Sequence, residues 1–129
     1  MPAPSPCPAE PPQAKVRAER AGRLAETLAA WVLRLKGFRV LERRVRTPVG
    51  EIDLVAARGR LMLIVEVKRR PTHAEALAAV TPRQRHRLAR AAAWLMARDA
   101  RLAGADIRFD VVSVDKWMRV RHLSDAWRE

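Results

Sequence analysis

Between residues 18 and 36 the apolar positions Leu24, Leu28, Trp31 and Leu35 recur at three- and four-residue intervals, the period of one helix face. The spacing predicts a helix there, stopped by Gly37. Residues 38–46 (FRVLERRVR) predict a polar strand, and Pro48-Val49-Gly50 supplies turn chemistry. A second strand is expected over 52–57, followed by a tight reversal at Arg58-Gly59-Arg60. Residues 61–68 (LMLIVEVK) are the most apolar run in the chain. Their length and β-branched content predict a central strand buried on both faces. Residues 69–81 read as a linker opened by Pro71, and Thr81-Pro82 caps a second helix expected from about 83 to 102. IRFDVVSV at 107–114 is a further strand, whereas 119–129 has little periodicity and reads as loosely packed.

The resulting order, α-β-β-β-α-β, implies a mixed β-sheet with helices packed against it. At 129 residues there is room for one domain. It is expected over 18–120, with a tail at 121–129. Prolines at positions 2, 4, 6, 8, 11 and 12 oppose regular structure near the start, so 1–17 reads as a disordered tail.

Charge narrows the class of partner. Twenty-six Lys+Arg face 14 Asp+Glu, a net charge of +12, which favours polyanions such as nucleic acid, ribosome or an anionic membrane. Cys7 stands alone, which excludes an internal disulfide or a cysteine zinc cluster, and His73, His86 and His122 lack ligand spacing. No run approaches the roughly 18 apolar residues of a membrane-spanning helix, and the start lacks signal-peptide order. A cytoplasmic protein with no membrane partner is therefore expected.

Chemistry concentrates at Asp53, Glu66 and Lys68. Glu66 and Lys68 are two apart on one strand, so both project to the same side, with Cα atoms roughly 6–7 Å apart. A hairpin turned about Gly59 places Asp53 nearly opposite Glu66. Two facing carboxylates repel, and a divalent cation resolves the repulsion; oxygen donors suit Mg²⁺ or Mn²⁺. Such a cation polarises a phosphoryl oxygen and lowers the pKa of bound water, while a lysine neutralises charge developing on phosphorus. On spacing alone, a cross-strand salt bridge to Lys68 without chemistry stands beside this reading.

The segments Gly50-Glu51-Ile52-Asp53-Leu54-Val55, Val65-Glu66-Val67-Lys68-Arg69-Arg70 and Arg108-Phe109-Asp110-Val111-Val112 resemble the YraN family of bacterial proteins. That family is similar to archaeal Holliday-junction resolvases, and the resemblance runs from about Ala18 to Val114. It implies a restriction-endonuclease-like fold and a metal-dependent endonuclease. The GEID and EVK elements match the nuclease signature D…(D/E)-x-K. By that resemblance Asp53 and Glu66 are metal ligands and Lys68 is the catalytic lysine. Glu26, in Gly22-x-x-Ala25-Glu26-x-x-Ala29, corresponds to a helix glutamate that joins the metal cluster in resolvase-like enzymes; helical periodicity alone makes it a surface acid pointing away from the Leu24/Leu28/Trp31/Leu35 face. Where relatives often carry lysine near the start of the second helix, this chain has Gln84, which can still orient water or contact phosphate. The resemblance also implies a homodimer, since symmetric cuts need paired sites.

Basic residues flank the acids. Arg43, Arg44 and Arg46 precede Asp53, and Arg69 and Arg70 follow Lys68. Helical projection places Arg83, Arg87, Arg90, Arg98 and Arg101 in one sector around Trp94. Arg43, Arg44, Arg46, Arg69, Arg70, Arg83, Gln84, Arg87 and Arg90 are accordingly the candidate nucleic-acid contacts, with DNA the expected partner. Two further readings stay open: a nucleic-acid-binding module without catalysis, and a basic RNA- or ribosome-associated protein. Glu51 and Asp110 are read as structural or as lying at the substrate's edge.

Overall fold

A computed structural model describes residues 12–128. The elements are α1 (Pro12–Leu35), β1 (Arg39–Thr47), β2 (Gly50–Arg58), β3 (Leu61–Arg69), α2 (His73–Ala78), α3 (Pro82–Met96), a 3-10 turn (Ala100–Leu102), β4 (Asp106–Val114) and β5 (Val120–Trp127). The strands form one sheet in the order β1-β2-β3-β4-β5. Every pairing is antiparallel except β3 with β4, whose connection runs through α2 and α3. The expected α/β class, a mixed sheet flanked by helices, is what the chain adopts, with β3 at its centre. Among the described residues no helix is long and apolar enough to cross a membrane.

Packing on the two faces explains the layers. Met62, Ile64 and Val111 face Leu88, Ala92 and Leu95 of α3. On the other side Leu54, Leu63, Val65 and Val112 meet Ala29, Ala30 and Leu33 of α1. The sheet supplies most of the large side chains there, and α1 meets them with Ala29, Ala30 and the one leucine, Leu33. The leucine–tryptophan stripe, the apparent core face by periodicity, is instead turned outward: Leu24 is 49%, Trp31 57% and Leu35 83% exposed.

Four boundaries differ from the sequence expectation. Helix α1 already includes residues 12–17, where the sequence predicts a tail; a proline needs no amide partner in a first turn. Residues 1–11, with Cys7, lie outside the described residues. The presumed linker contains α2, capped by Thr72, whose side chain accepts from Glu75 N. The expected C-terminal tail is strand β5, paired with β4 from Val114↔Val120 to Phe109↔Trp127 with a register shift between Val111 and Phe109. Its end is fixed by the Trp127 ring, stacked on Phe109 at 5.1 Å. Helix α3 stops at Met96, short of the expected 102, and Asp99, accepting from Arg101 N, starts a separate 3-10 turn.

Candidate active site

Strands β2 and β3 pair from Arg58↔Leu61 up to Leu54↔Val65, the frame expected for a hairpin turned at Gly59. Beyond that point the ladder gives way to a side chain: Asp53 Oδ2 accepts from Val67 N at 2.8 Å. The apolar run of β3 carries Glu66 inward until it is 5% exposed. Its Oε1 receives Lys68 Nζ at 3.2 Å and Gln84 Nε2 at 2.9 Å. The Asp53 and Glu66 carboxyl groups lie within hydrogen-bonding reach of each other. Burial and then the Asp53 charge push Glu66 up to about 8, against the opposing pull of Lys68. Asp53 is raised too, by burial foremost and by the charge of Glu26 in addition, despite the amide of Val67.

Glu26 stands at the margin of this pair. It is near enough to act on Asp53 electrostatically, yet its Oε2 is bound by Arg44 Nε at 2.6 Å. Beside it Arg43 donates to Thr27 Oγ1 at 3.0 Å, so this arginine pair fastens β1 to α1. Arg44 adopts φ +53 where β1 faces Asp53, a local departure from strand geometry. Among the described residues no group of three or more His, Cys, Asp or Glu side chains is placed to hold a metal ion. The structure thus brings together Asp53, Glu66, Lys68 and Gln84, and leaves Glu26 on Arg44.

The basic residues divide. Thr81, Arg83, Gln84 and Arg87 line a cleft of about 360 Å³ that opens from the Glu66 side of α3. Thr81 caps the helix by accepting from Gln84 N, which fixes where Gln84 departs toward Glu66. Gly50, at φ +155, allows Arg87 to pass: a Cβ there would stand 2.9 Å from both Cγ and Cδ of Arg87. Arg46 and Arg90 are exposed. Arg69 donates to Met118 Sδ and Arg70 to the Arg69 carbonyl, and both remain exposed. The five-arginine sector around Trp94 does not extend past the helix. Arg98 lies 4.2 Å over the Trp94 ring, while Arg101 is held by Asp99 and Glu42. A further cleft of about 580 Å³ lies at the other end of the sheet between α3 and the start of β4.

Two polar networks escaped the sequence reading. Asp110, fully buried, accepts both Arg108 nitrogens at 2.9 Å, His122 Nε2 at 2.6 Å and Asp125 N at 2.9 Å. Burial would raise this carboxyl, but these donors hold it down to about 2. Lys36 Nζ meets His122 Nδ1 at 2.8 Å, and because lysine can only donate, the Nε2–H is the one directed at Asp110. On the opposite face His73 Nδ1 meets Ser113 Oγ at 2.6 Å, and Ser113 is the β4 neighbour of Lys68. Neither network was visible while β5 and α2 were unplaced.

Comparison with known proteins bears on identity. The profile of the uncharacterised protein family UPF0102 matches residues 25–114, a span that includes Glu26, Asp53, Glu66, Lys68 and Gln84. The chain is 52% identical over 117 residues to a UPF0102 protein of Parvibaculum lavamentivorans, covering 91% of this chain and 88% of that one. A UPF0102 protein of Paramagnetospirillum magneticum is 47% identical over 124 residues, with 93% and 96% covered. One from Caulobacter vibrioides is 48% identical over 110 residues, with 85% and 88% covered. The chain belongs to the uncharacterised protein family UPF0102, the YraN-like family that its GEID and EVK segments resemble.

Proposed function

We propose that this protein is a metal-dependent nuclease that hydrolyses phosphodiester bonds in nucleic acid, DNA foremost. One observation carries the reading: the half-buried Asp53 carboxyl and the buried Glu66 carboxyl lie against each other, with Lys68 Nζ 3.2 Å from Glu66. Two carboxylates held this close in a partly desolvated place repel each other unless a cation or a proton joins them. The donor set fits Mg²⁺ or Mn²⁺, since Mg²⁺ is commonly held by one or two carboxylates and completed by waters and substrate phosphate. Asp53 and Glu66 would hold it; Glu26, occupied by Arg44, would join only on release from that partner. When bound, such an ion polarises the phosphoryl oxygen and lowers the pKa of an attacking water.

The protein's own groups supply the rest. Lys68 provides positive charge where negative charge grows on phosphorus. Gln84 fixes the Glu66 carboxyl and presents its amide to the cleft, where Arg83 and Arg87 hold flanking phosphates. Val67 N–H fixes Asp53 from the backbone, so that carboxylate keeps its orientation without a further side chain.

A second reading, a nucleic-acid-binding module without hydrolysis, draws support from the same place. Gln84 stands where the resemblance favours a lysine, and Glu26 is neutralised by Arg44. One experiment separates them: incubation with linear, single-stranded, flap and four-way DNA, and with RNA, in Mg²⁺ or Mn²⁺, beside Lys68→Ala. Hydrolysis is expected for the wild type and not for Lys68→Ala, with binding in EDTA retained by both. Binding without cleavage of any substrate would leave the second reading.

A further inference from the structure

Trp117 is the most exposed tryptophan among the described residues, at 70%. It sits in the turn between β4 and β5, and that turn is firmly built. Asp115, 2% exposed, accepts Trp117 N and Arg119 N on Oδ1, each at 2.9 Å, and Arg119 Nε on Oδ2 at 2.7 Å. Met118 N closes back on the Asp115 carbonyl at 3.0 Å. The turn is also stitched to the residues just after Lys68. Arg70 N donates to Val114 O at 3.1 Å, Lys116 N reaches Pro71 O at 3.4 Å, and Arg69 Nε reaches Met118 Sδ at 3.5 Å. Since Lys68 pairs with Ser113 and Arg69 with Val114, the turn begins one position beyond the Lys68 end of the sheet.

An indole held in water on a rigid turn suits a partner that covers it. The surroundings state that partner's chemistry. Lys116 Nζ lies 5.4 Å from the ring centroid, and Arg69, Arg70 and Arg119 are all exposed nearby. A partner that offers a flat apolar face and negative charge on either side of it is a nucleic-acid strand, its base on the indole and its phosphates on the cations. Base pairs within a duplex are stacked on their neighbours and offer no free face, so the base must be unpaired.

We propose that Trp117 is a stacking platform for an unpaired nucleobase, with Lys116, Arg69 and Arg70 holding the adjoining phosphates. The substrate of the adjacent site is then nucleic acid with an unpaired segment, either single-stranded or branched. The position relative to the scissile bond rests on the nuclease reading; the stacking does not.

The test uses the full chain in EDTA and fluorescence anisotropy with a labelled single strand, a flap and a blunt duplex of one sequence. Because stacking contributes about 1–3 kcal/mol per base, Trp117→Ala is expected to weaken the single strand and flap by at least about fivefold and the duplex by less than about twofold. Trp117→Phe, which keeps an aromatic face, should restore most of the loss, with an unchanged melting temperature in both variants. Equal loss on all three nucleic acids, or no loss on any, would overturn the proposal. So would a shift of Trp117 emission on phosphatidylserine vesicles with none on oligonucleotides. Absence of cleavage with metal, while Trp117→Ala still discriminates strand from duplex, would sink the nuclease reading and leave the platform standing.

Discussion

Replacing Glu66 by glutamine should make the metal-free protein more stable at pH 8. Glu66 is 5% exposed and carries its proton up to about 8, whereas the ordinary value is 4.5. The folded chain therefore holds a proton that the unfolded chain releases earlier. Stability from this source is complete below 4.5 and is lost as pH rises through about 8. One proton over that interval, at about 1.4 kcal/mol per pH unit, comes to a few kcal/mol. Glutamine has nearly the same shape, keeps an oxygen for Lys68 and Gln84, and offers Asp53 an amide hydrogen at every pH. At roughly 3–5 °C per kcal/mol, Glu66→Gln should melt about 5–15 °C above the wild type at pH 8 and close to it at pH 5. Calorimetry in EDTA at both values measures this. Parallel losses in the two proteins between pH 5 and 8, or a less stable Glu66→Gln at pH 8, would refute the reasoning.

Two further outcomes concern support for the site. Asp110→Ala strands Arg108 and the deeply buried His122, and should destabilise the protein by about 3–5 kcal/mol in urea unfolding at pH 7. In wild-type protein this carboxylate adds acid sensitivity: its contribution is present above the usual carboxylate range and fades as pH falls toward about 2. Gly50→Ala places a Cβ on the Arg87 stem and should weaken oligonucleotide binding in EDTA about as much as Arg87→Ala does; in the double variant the two losses should not add.

What could be read in advance follows from which forces are local. A two-residue reversal at Gly59 leaves one hairpin register, so the near-opposition of Asp53 and Glu66 was legible before any coordinates. That the ladder ends there, with the Asp53 side chain taking the Val67 amide, rests on a side-chain-to-backbone bond that strand periodicity does not encode. The face of α1 was misjudged because its apolar stripe is real but solvent-facing; which side a helix buries is decided by the sheet beneath it, already filled by Leu54, Leu63 and Val65. Helix α2, at six residues, is too short to show a period. Strand β5 lies at the sheet edge and carries polar residues on its open side, so it resembles a tail until Trp127 meets Phe109. The Asp110–His122 contact could not be seen without β5.

Manganese titration followed by electron paramagnetic resonance addresses the shared carboxylate pocket without relying on turnover. With an uncleavable phosphorothioate flap present at pH 7.5, the wild type should immobilise Mn²⁺, and Asp53→Asn and Glu66→Gln should each lose most of that binding. Equal Mn²⁺ uptake by Asp53→Asn and wild type, or none by the wild type, would contradict a metal held between Asp53 and Glu66.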